Sequence, residues 1–358
     1  MPQQEYFGFG AIEKLDEIVG GKKIFLVSGK NSFEVSGAKE VLDKQNYNRF
    51  WDFSPNPKIE DIQKGFEIFE KENYDFIVAV GGGSVIDTAK AIKLFYYEKT
   101  ERKTPLVAIP TTAGSGSEAT YFIVYYIGKE KQSKGDVNVT LPNYVICDPE
   151  LTVSLPRKVT ASTGMDALGQ AIESYWCINS TEKSKKYARE SINLLVGNLE
   201  QAVNSGLREA KEKVMKASNL AGKAINISKT TACHSIAYPI TSYFQIIHGH
   251  AVSLTLGEML VYNSKVGEDC LDSRGEEYVK KNIFEICEML GVLNPLEGKD
   301  KIKRLMQGIG LKTKLRELGL SLKDVELIVE KGFNPERIKN NPRLLTKDNL
   351  KKVLGDIY

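Results

Sequence analysis

Continuous apolar runs and helical stripes alternate along the first half of the chain. Lys22–Ser28 is a short β-branched run that ends at Gly29. Arg49–Phe53, Tyr74–Val80 and Leu106–Pro110 are three more runs, and the third of the four leads into Gly81-Gly82-Gly83. Runs of this length without polar alternation suit strands buried on both faces. Between them Ile59, Ile62, Phe66 and Phe69 fall on one face of a helix. Strands separated by helices predict parallel βαβ units and a doubly wound sheet. Near Leu155-Pro156-Arg157 the texture changes. Ala188, Ile192, Leu195, Val196 and Leu199 form a helical stripe, and similar stripes run through 209–228, 277–291 and 311–331. The pattern therefore predicts an α/β dinucleotide-binding domain over 1–157 and an all-α domain over 158–358.

Composition narrows the class. The chain has 358 residues, of which 42% are hydrophobic, so it can bury sizeable cores. Its 49 Lys plus Arg against 46 Asp plus Glu leave a net charge of +3, which offers no basic patch for nucleic acid. The five cysteines are scattered with no CxxC pair, which reads as reduced thiols in a cytoplasmic protein. No signal-like start is seen, and the longest apolar run, Tyr121–Ile127, is far short of a membrane span. The three histidines all lie between 234 and 250.

Two loops and one cluster carry chemistry. Gly81, Gly82, Gly83, Ser84 and the following Asp87 form a strand–glycine–helix turn. Glycines let a ligand approach the backbone, and the free N–H groups of a helix start suit a pyrophosphate. The plain role for Asp87 is a cap on that first turn. Thr111, Thr112, Ser115 and Ser117 form a second polar loop at the carboxyl end of the next strand, where open α/β sheets bind ligands. Asp166 and Gln170 share one helix face at i, i+4. With His234 and His248 they offer nitrogen and oxygen donors for a divalent metal.

These motifs together resemble the iron-containing (group III) alcohol dehydrogenase family. The resemblance rests on Gly81–Lys90, Pro110–Glu118, Gly164-Met165-Asp166-Ala167 and the His234/His248 pair, and it runs from Tyr6 to Asn341-Pro342-Arg343. It implies the dehydroquinate synthase-like fold, with a helical metal domain after the dinucleotide-binding one. It also implies hydride transfer between NAD(P)H and a carbonyl that a divalent ion polarises. By the same resemblance Asp166, His234 and His248 are metal ligands. Gln170 stands where the family has a third histidine, so zinc or magnesium joins iron as an expected metal. Tyr238 stands where the family often has a histidine near the nicotinamide. Tyr238 and His250 are the expected proton-relay residues.

The cofactor's ribose end is expected at Gly29, Lys30, Asn31 and Ser32. An acid near position 29 marks NAD users in the family, so Gly29 with Lys30 points to NADPH or dual use. Lys223 and Lys229 are expected to bind an anionic substrate. The stretch before and around His234 resembles phosphonoacetaldehyde reductases. The expected activity is thus reduction of a small anionic aldehyde by a cytoplasmic homo-oligomer with no nucleic-acid or membrane partner. The alternatives are a neutral alcohol or diol dehydrogenase, a dehydroquinate synthase-like lyase, or an inactive binding protein.

Overall fold

The computed structural model describes residues 3–128 and 130–358. The chain divides into two compact units, Met1–Leu155 and Pro156–Tyr358. The first unit holds β1 (Gln4–Phe7), α1 (Lys14–Val19), β2 (Ile24–Ser28), α2 (Lys30–Val35), α3 (Ala38–Leu42), β3 (Tyr47–Phe50), α4 (Ile59–Phe69), β4 (Phe76–Gly81), α5 (Gly83–Thr100), β5 (Leu106–Pro110), β6 (Ile123–Ile127), β7 (Glu130–Lys134) and β8 (Tyr144–Cys147). Six of these strands form one sheet in the order β1-β8-β5-β4-β2-β3, and every pairing in it is parallel.

Alternate residues of the central strands face two separate cores. Phe25, Val27, Ile77, Ala79 and Ala108 pack with Ile62, Phe69, Ile86 and Ala89 of α4 and α5. Ile24, Leu26, Val78, Val80 and Ile109 pack with Leu15, Val19, Val41 and Leu42 of α1 and α3. Burial on both faces is why these strands read as unbroken apolar runs. Two strands of the sheet carried no such signal. β1 is an edge strand with exposed ends, and β8 has only four residues. The β6–β7 hairpin, apolar on β6 and polar on β7, is antiparallel and forms a second sheet of its own.

The second unit is helical: α6 (Arg157–Trp176), α7 (Glu182–Asn204), α8 (Arg208–Ser228), α9 (Ala232–Phe244), α10 (His248–Ser264), α11 (Glu276–Met289), α12 (Pro295–Gly308), α13 (Leu322–Gly332), α14 (Pro335–Ile338) and α15 (Lys347–Asp356). α6 is its axis and touches α7, α8, α9, α10 and α11. From Thr160 to Trp176 all of α6 except Thr163 is buried. One expectation is corrected. The stripe over 311–331 is not one helix, because Gly319 turns the chain at φ 84° and Ser321 starts α13 afresh with a capping box to Asp324.

Candidate functional sites

In the first unit, three turns meet at the carboxyl ends of adjacent strands. Ser28 of β2 is in register with Val80 of β4, and Gly81 of β4 with Pro110 of β5. The chain leaves β2 for β3 on one side and returns to β4 on the other. That reversal is the switch point where such sheets bind ligands. The loop after β5 lies against the glycine turn. A Cβ on Gly82 would sit 3.2 Å from Thr112 Oγ1, and one on Gly83 would sit 2.8 Å from Ser115 Oγ. The structure therefore brings Gly81, Gly82, Gly83, Thr112 and Ser115 together. Among the described residues Thr111 Oγ1 is buried without a hydrogen-bond partner, and the Ser84 hydroxyl accepts from Asn56 N at 3.2 Å. A bared backbone beside an orphaned hydroxyl fits a dinucleotide's phosphates.

Asp87 and Ser117 have a different place. Asp87 lies beyond the first turn of α5, too far along to cap it. Its carboxylate accepts from Ser117 Oγ and from Val124 N at 3.0 Å. Lys90, wholly buried, donates to Ser117 Oγ at 2.9 Å and to Phe122 O at 3.0 Å. It also lies 3.6 Å from Asp87 Oδ1. These groups tie α5 to the loop from behind.

At the end of β2, Gly29 precedes α2 and a Cβ there would run into Ser32 Oγ. Lys30 and Asn31 are exposed, with Lys30 Nζ 5.1 Å from the centre of the Trp51 ring. Arg49 cross-links this turn by donating to Ser28 Oγ (2.7 Å), Gly29 O (3.0 Å) and Lys30 O (3.1 Å).

In the second unit, glycines let α6 and α10 meet closely. A Cβ on Gly249 of α10 would lie 2.7 Å from Asp166 Cβ, and one on Gly169 of α6 would lie 2.6 Å from Val252 Cγ1. Asp166, Gln170 and Glu173 line one face of α6 at i, i+4 and i+7. His234, Tyr238 and Thr241 do the same on α9, and His248 opens α10. Donor atoms of Asp166, His234 and His248 all lie within 4.8 Å of one another, close enough to surround one cation.

Glu173 organises this group, and sequence reasoning missed it. It is fully buried and accepts from Thr231 Oγ1 and Cys233 N, each at 2.7 Å, and from His234 Nδ1. With Nδ1 engaged, His234 Nε2 faces Asp166 Oδ1 across 3.4 Å, long for a hydrogen bond. A buried carboxylate that fixes the tautomer of a histidine suits a metal ligand. Burial alone would pull the His234 imidazolium down and push the Glu173 carboxyl up. Their mutual attraction, with Asp166 nearby, instead raises His234 to about 10 and lowers Glu173. A cation at Nε2 would take the place of that proton.

His248 stacks on Tyr238, with ring centres 5.8 Å apart and planes at 15°. Its Nδ1 lies 3.4 Å from Thr241 Oγ1. Gln170 donates its amide nitrogen to Asp166 Oδ2 at 3.3 Å, and its Oε1 is buried. His250 is not brought to the group. Two residues along a helix turn a side chain to the opposite face, and its Nε2 meets Lys312 O at 2.7 Å. Burial lowers its pKa first, and Lys158 and Lys312 add to this against the pull of the Lys312 carbonyl.

The two expected lysines also part company. Lys223 lies towards α7, its Nζ 5.9 Å from the centre of the Tyr187 ring. Lys229 closes α8 with φ 74° and ψ 179°. Burial and then the Arg337 charge pull it down to about 8.

Residues 2–149 match the profile of the family described as iron-containing alcohol dehydrogenase. Residues 160–358 match that of the Fe-containing alcohol dehydrogenase family, C-terminal. The chain belongs to the iron-containing alcohol dehydrogenase family. It is 31% identical over 388 residues to the NADPH-dependent butanol dehydrogenase of Clostridium saccharobutylicum, covering 100% of this chain and 97% of the relative. It is 30% identical over 304 residues to the phosphonoacetaldehyde reductase of Streptomyces viridochromogenes, covering 79% of this chain and 76% of that protein. The crystal structure of sulfoacetaldehyde reductase from Bifidobacterium kashiwanohense in complex with NAD+ superposes with a TM-score of 0.86 at 31% identity, over 99% of this chain and 97% of that one. As a member of the family, the chain is an oxidoreductase that interconverts small alcohols and aldehydes with NAD(P) and a divalent metal. Among the described residues no helix is long and apolar enough to cross a membrane.

Proposed function

We propose that this alcohol dehydrogenase reduces a small anionic aldehyde of the phosphonoacetaldehyde kind to the primary alcohol. The observation that carries the reading is Lys229. A half-buried ammonium, held at a strained position on the segment that leads into His234, favours a negatively charged ligand. Two relatives at about this level of similarity are named for anionic aldehydes, one a phosphonate and one a sulfonate.

The reaction is aldehyde plus NAD(P)H plus a proton to alcohol plus NAD(P)+. When bound, the divalent cation supplies Lewis acidity towards the aldehyde oxygen and the reduced nicotinamide supplies the hydride. In this reading Asp166, His234 and His248 hold the cation, and Gln170 steadies Asp166. Glu173 keeps His234 Nε2 ready to coordinate. Gly81–Gly83, Ser84, Thr111, Thr112 and Ser115 hold the dinucleotide, while Asp87 and Ser117 brace that loop. Tyr238 presents a hydroxyl beside His248 to pass the proton that ends on the alcohol oxygen, and His250 braces the start of α10 through Lys312. We infer NADPH as the preferred donor, because Gly29 places no carboxylate against a 2′-phosphate and Lys30 adds positive charge.

Lys229→Ala tests the substrate class. KM for phosphonoacetaldehyde should rise about tenfold, as for a lost charge-assisted hydrogen bond, while KM for butyraldehyde stays put. Equal effects on both aldehydes would overturn the reading.

A further inference from the structure

The segment 229–231 is fixed at every residue. Lys229 N donates to Ile225 O at 2.9 Å, and Ser228 Oγ donates to Lys229 O at 3.0 Å. Thr230 O accepts from Asn340 Nδ2 at 3.1 Å. Thr230 Oγ1 accepts from Arg337 Nη1 at 3.3 Å. Thr231 Oγ1 accepts from Trp176 Nε1 at 3.0 Å and donates to Glu173 at 2.7 Å. The same Glu173 holds His234, so the segment is wired to the metal group through one buried carboxylate.

Lys229 occupies backbone space that only glycine enters freely, at a cost on the order of 1–3 kcal/mol. Strain of that kind persists at ligand clamps. Arg337 reaches the very next residue, Thr230 Oγ1, at 3.3 Å, and its charge acts on the Lys229 ammonium as a repulsion second to burial. Two half-buried cations held together disfavour each other, and an oxyanion between them reverses the sign of the interaction. Arg337 is suited to that task. Among the described residues the one hydrogen-bond acceptor of its guanidinium is Thr230. The rest of its planar donor fork matches a tetrahedral oxyanion two bonds at a time.

We propose that Arg337 is the second cation of an anion clamp completed by Lys229 and Thr230, and that the clamp grips the phosphonate or sulfonate group of the aldehyde. The proposal rests on the anionic-aldehyde reading above and adds a specificity residue to it. Nothing in the sequence pattern singled out Arg337, since it lies more than a hundred positions from Lys229 and a lone arginine on a short helix is ordinary.

The test is steady-state kinetics of wild type, Arg337→Gln and Arg337→Lys with phosphonoacetaldehyde, sulfoacetaldehyde and butyraldehyde. Arg337→Gln should raise KM for the anionic aldehydes at least about tenfold, with kcat and the butyraldehyde KM little changed. Arg337→Lys should recover part of the loss. The ratio of kcat/KM for the two anions shows which oxyanion the clamp fits. A wild type that favours the anions, with Arg337→Gln unchanged, overturns the clamp and leaves the substrate class standing. A wild type with no preference for either anion overturns both. Ethylphosphonate, which cannot be reduced, gives a check that needs no glutamine variant. It should compete with butyraldehyde on wild type and do so about tenfold more weakly on Arg337→Lys. Absence of competition on wild type contradicts the clamp.

Discussion

Replacing Glu173 with glutamine changes one atom at the most connected carboxylate of the proposed metal group. Glu173 Oε1 accepts from Thr231 Oγ1 and Cys233 N, and Oε2 accepts from His234 Nδ1. An amide can keep an oxygen at only one of these two ends. If the oxygen stays with Thr231 and Cys233, the NH2 meets His234 Nδ1 and drives the proton to Nε2, the atom that must coordinate. If the amide flips, two buried donors face an NH2 group. Either arrangement forfeits a hydrogen bond to a charged acceptor, worth about 1.5–3 kcal/mol. Metal affinity should therefore fall about 10- to 100-fold, the range for such supporting carboxylates. Competition against a chelator with a defined metal, read as metal retained per chain, measures it. Saturating metal should restore part of the activity, and circular dichroism should show the fold intact. A Glu173→Gln protein that holds metal as tightly as wild type refutes the role given to Glu173.

Three further outcomes follow from other contacts. Lys90→Met leaves Asp87 as a buried charge without its cation, so it should destabilise the protein by about 3–5 kcal/mol and raise KM for the nicotinamide cofactor; denaturant melts and cofactor titration check this. Adding Asp87→Asn to it should recover stability, whereas a sum of two independent losses would contradict the coupling. Gly249→Ala drives a methyl group to 1.9 Å from the backbone Ser162 O and 2.7 Å from Asp166 Cβ, so α6 and α10 must part, metal content should drop and stability should fall by about 3 kcal/mol or more. Lys229 is cationic below about 8 and neutral above it. KM for an anionic aldehyde should thus climb as pH passes about 8, with butyraldehyde as the flat control; parallel profiles would count against Lys229.

What the sequence revealed follows from how each element is buried. β2 and β5 were legible because every position in them is buried. β1 and β8 were not, since four residues with an edge or partly exposed position look like loop. The 311–331 stripe misled because apolar spacing continues across a turn that Gly319 and the Ser321 cap interrupt. At the metal group the scarcity of histidine marked His234 and His248, and spacing along α6 linked Asp166 to Gln170. Extending that spacing by three more residues reaches Glu173, the one signal that would have exposed it. His250 misled through proximity in sequence, which on a helix means the opposite face. Lys90 and Arg49 owe their contacts, and Arg337 the role proposed for it, to partners that only the folded chain brings near, so no local pattern announces them.

Aldehyde preference in protein of measured metal content is the most direct measurement of the proposed activity. With NADPH and one equivalent of bound divalent metal per chain, kcat/KM for phosphonoacetaldehyde should exceed that for butyraldehyde by about tenfold or more, and chelation should abolish turnover of both. Equal or better turnover of butyraldehyde, or full activity after the metal is stripped, would contradict it.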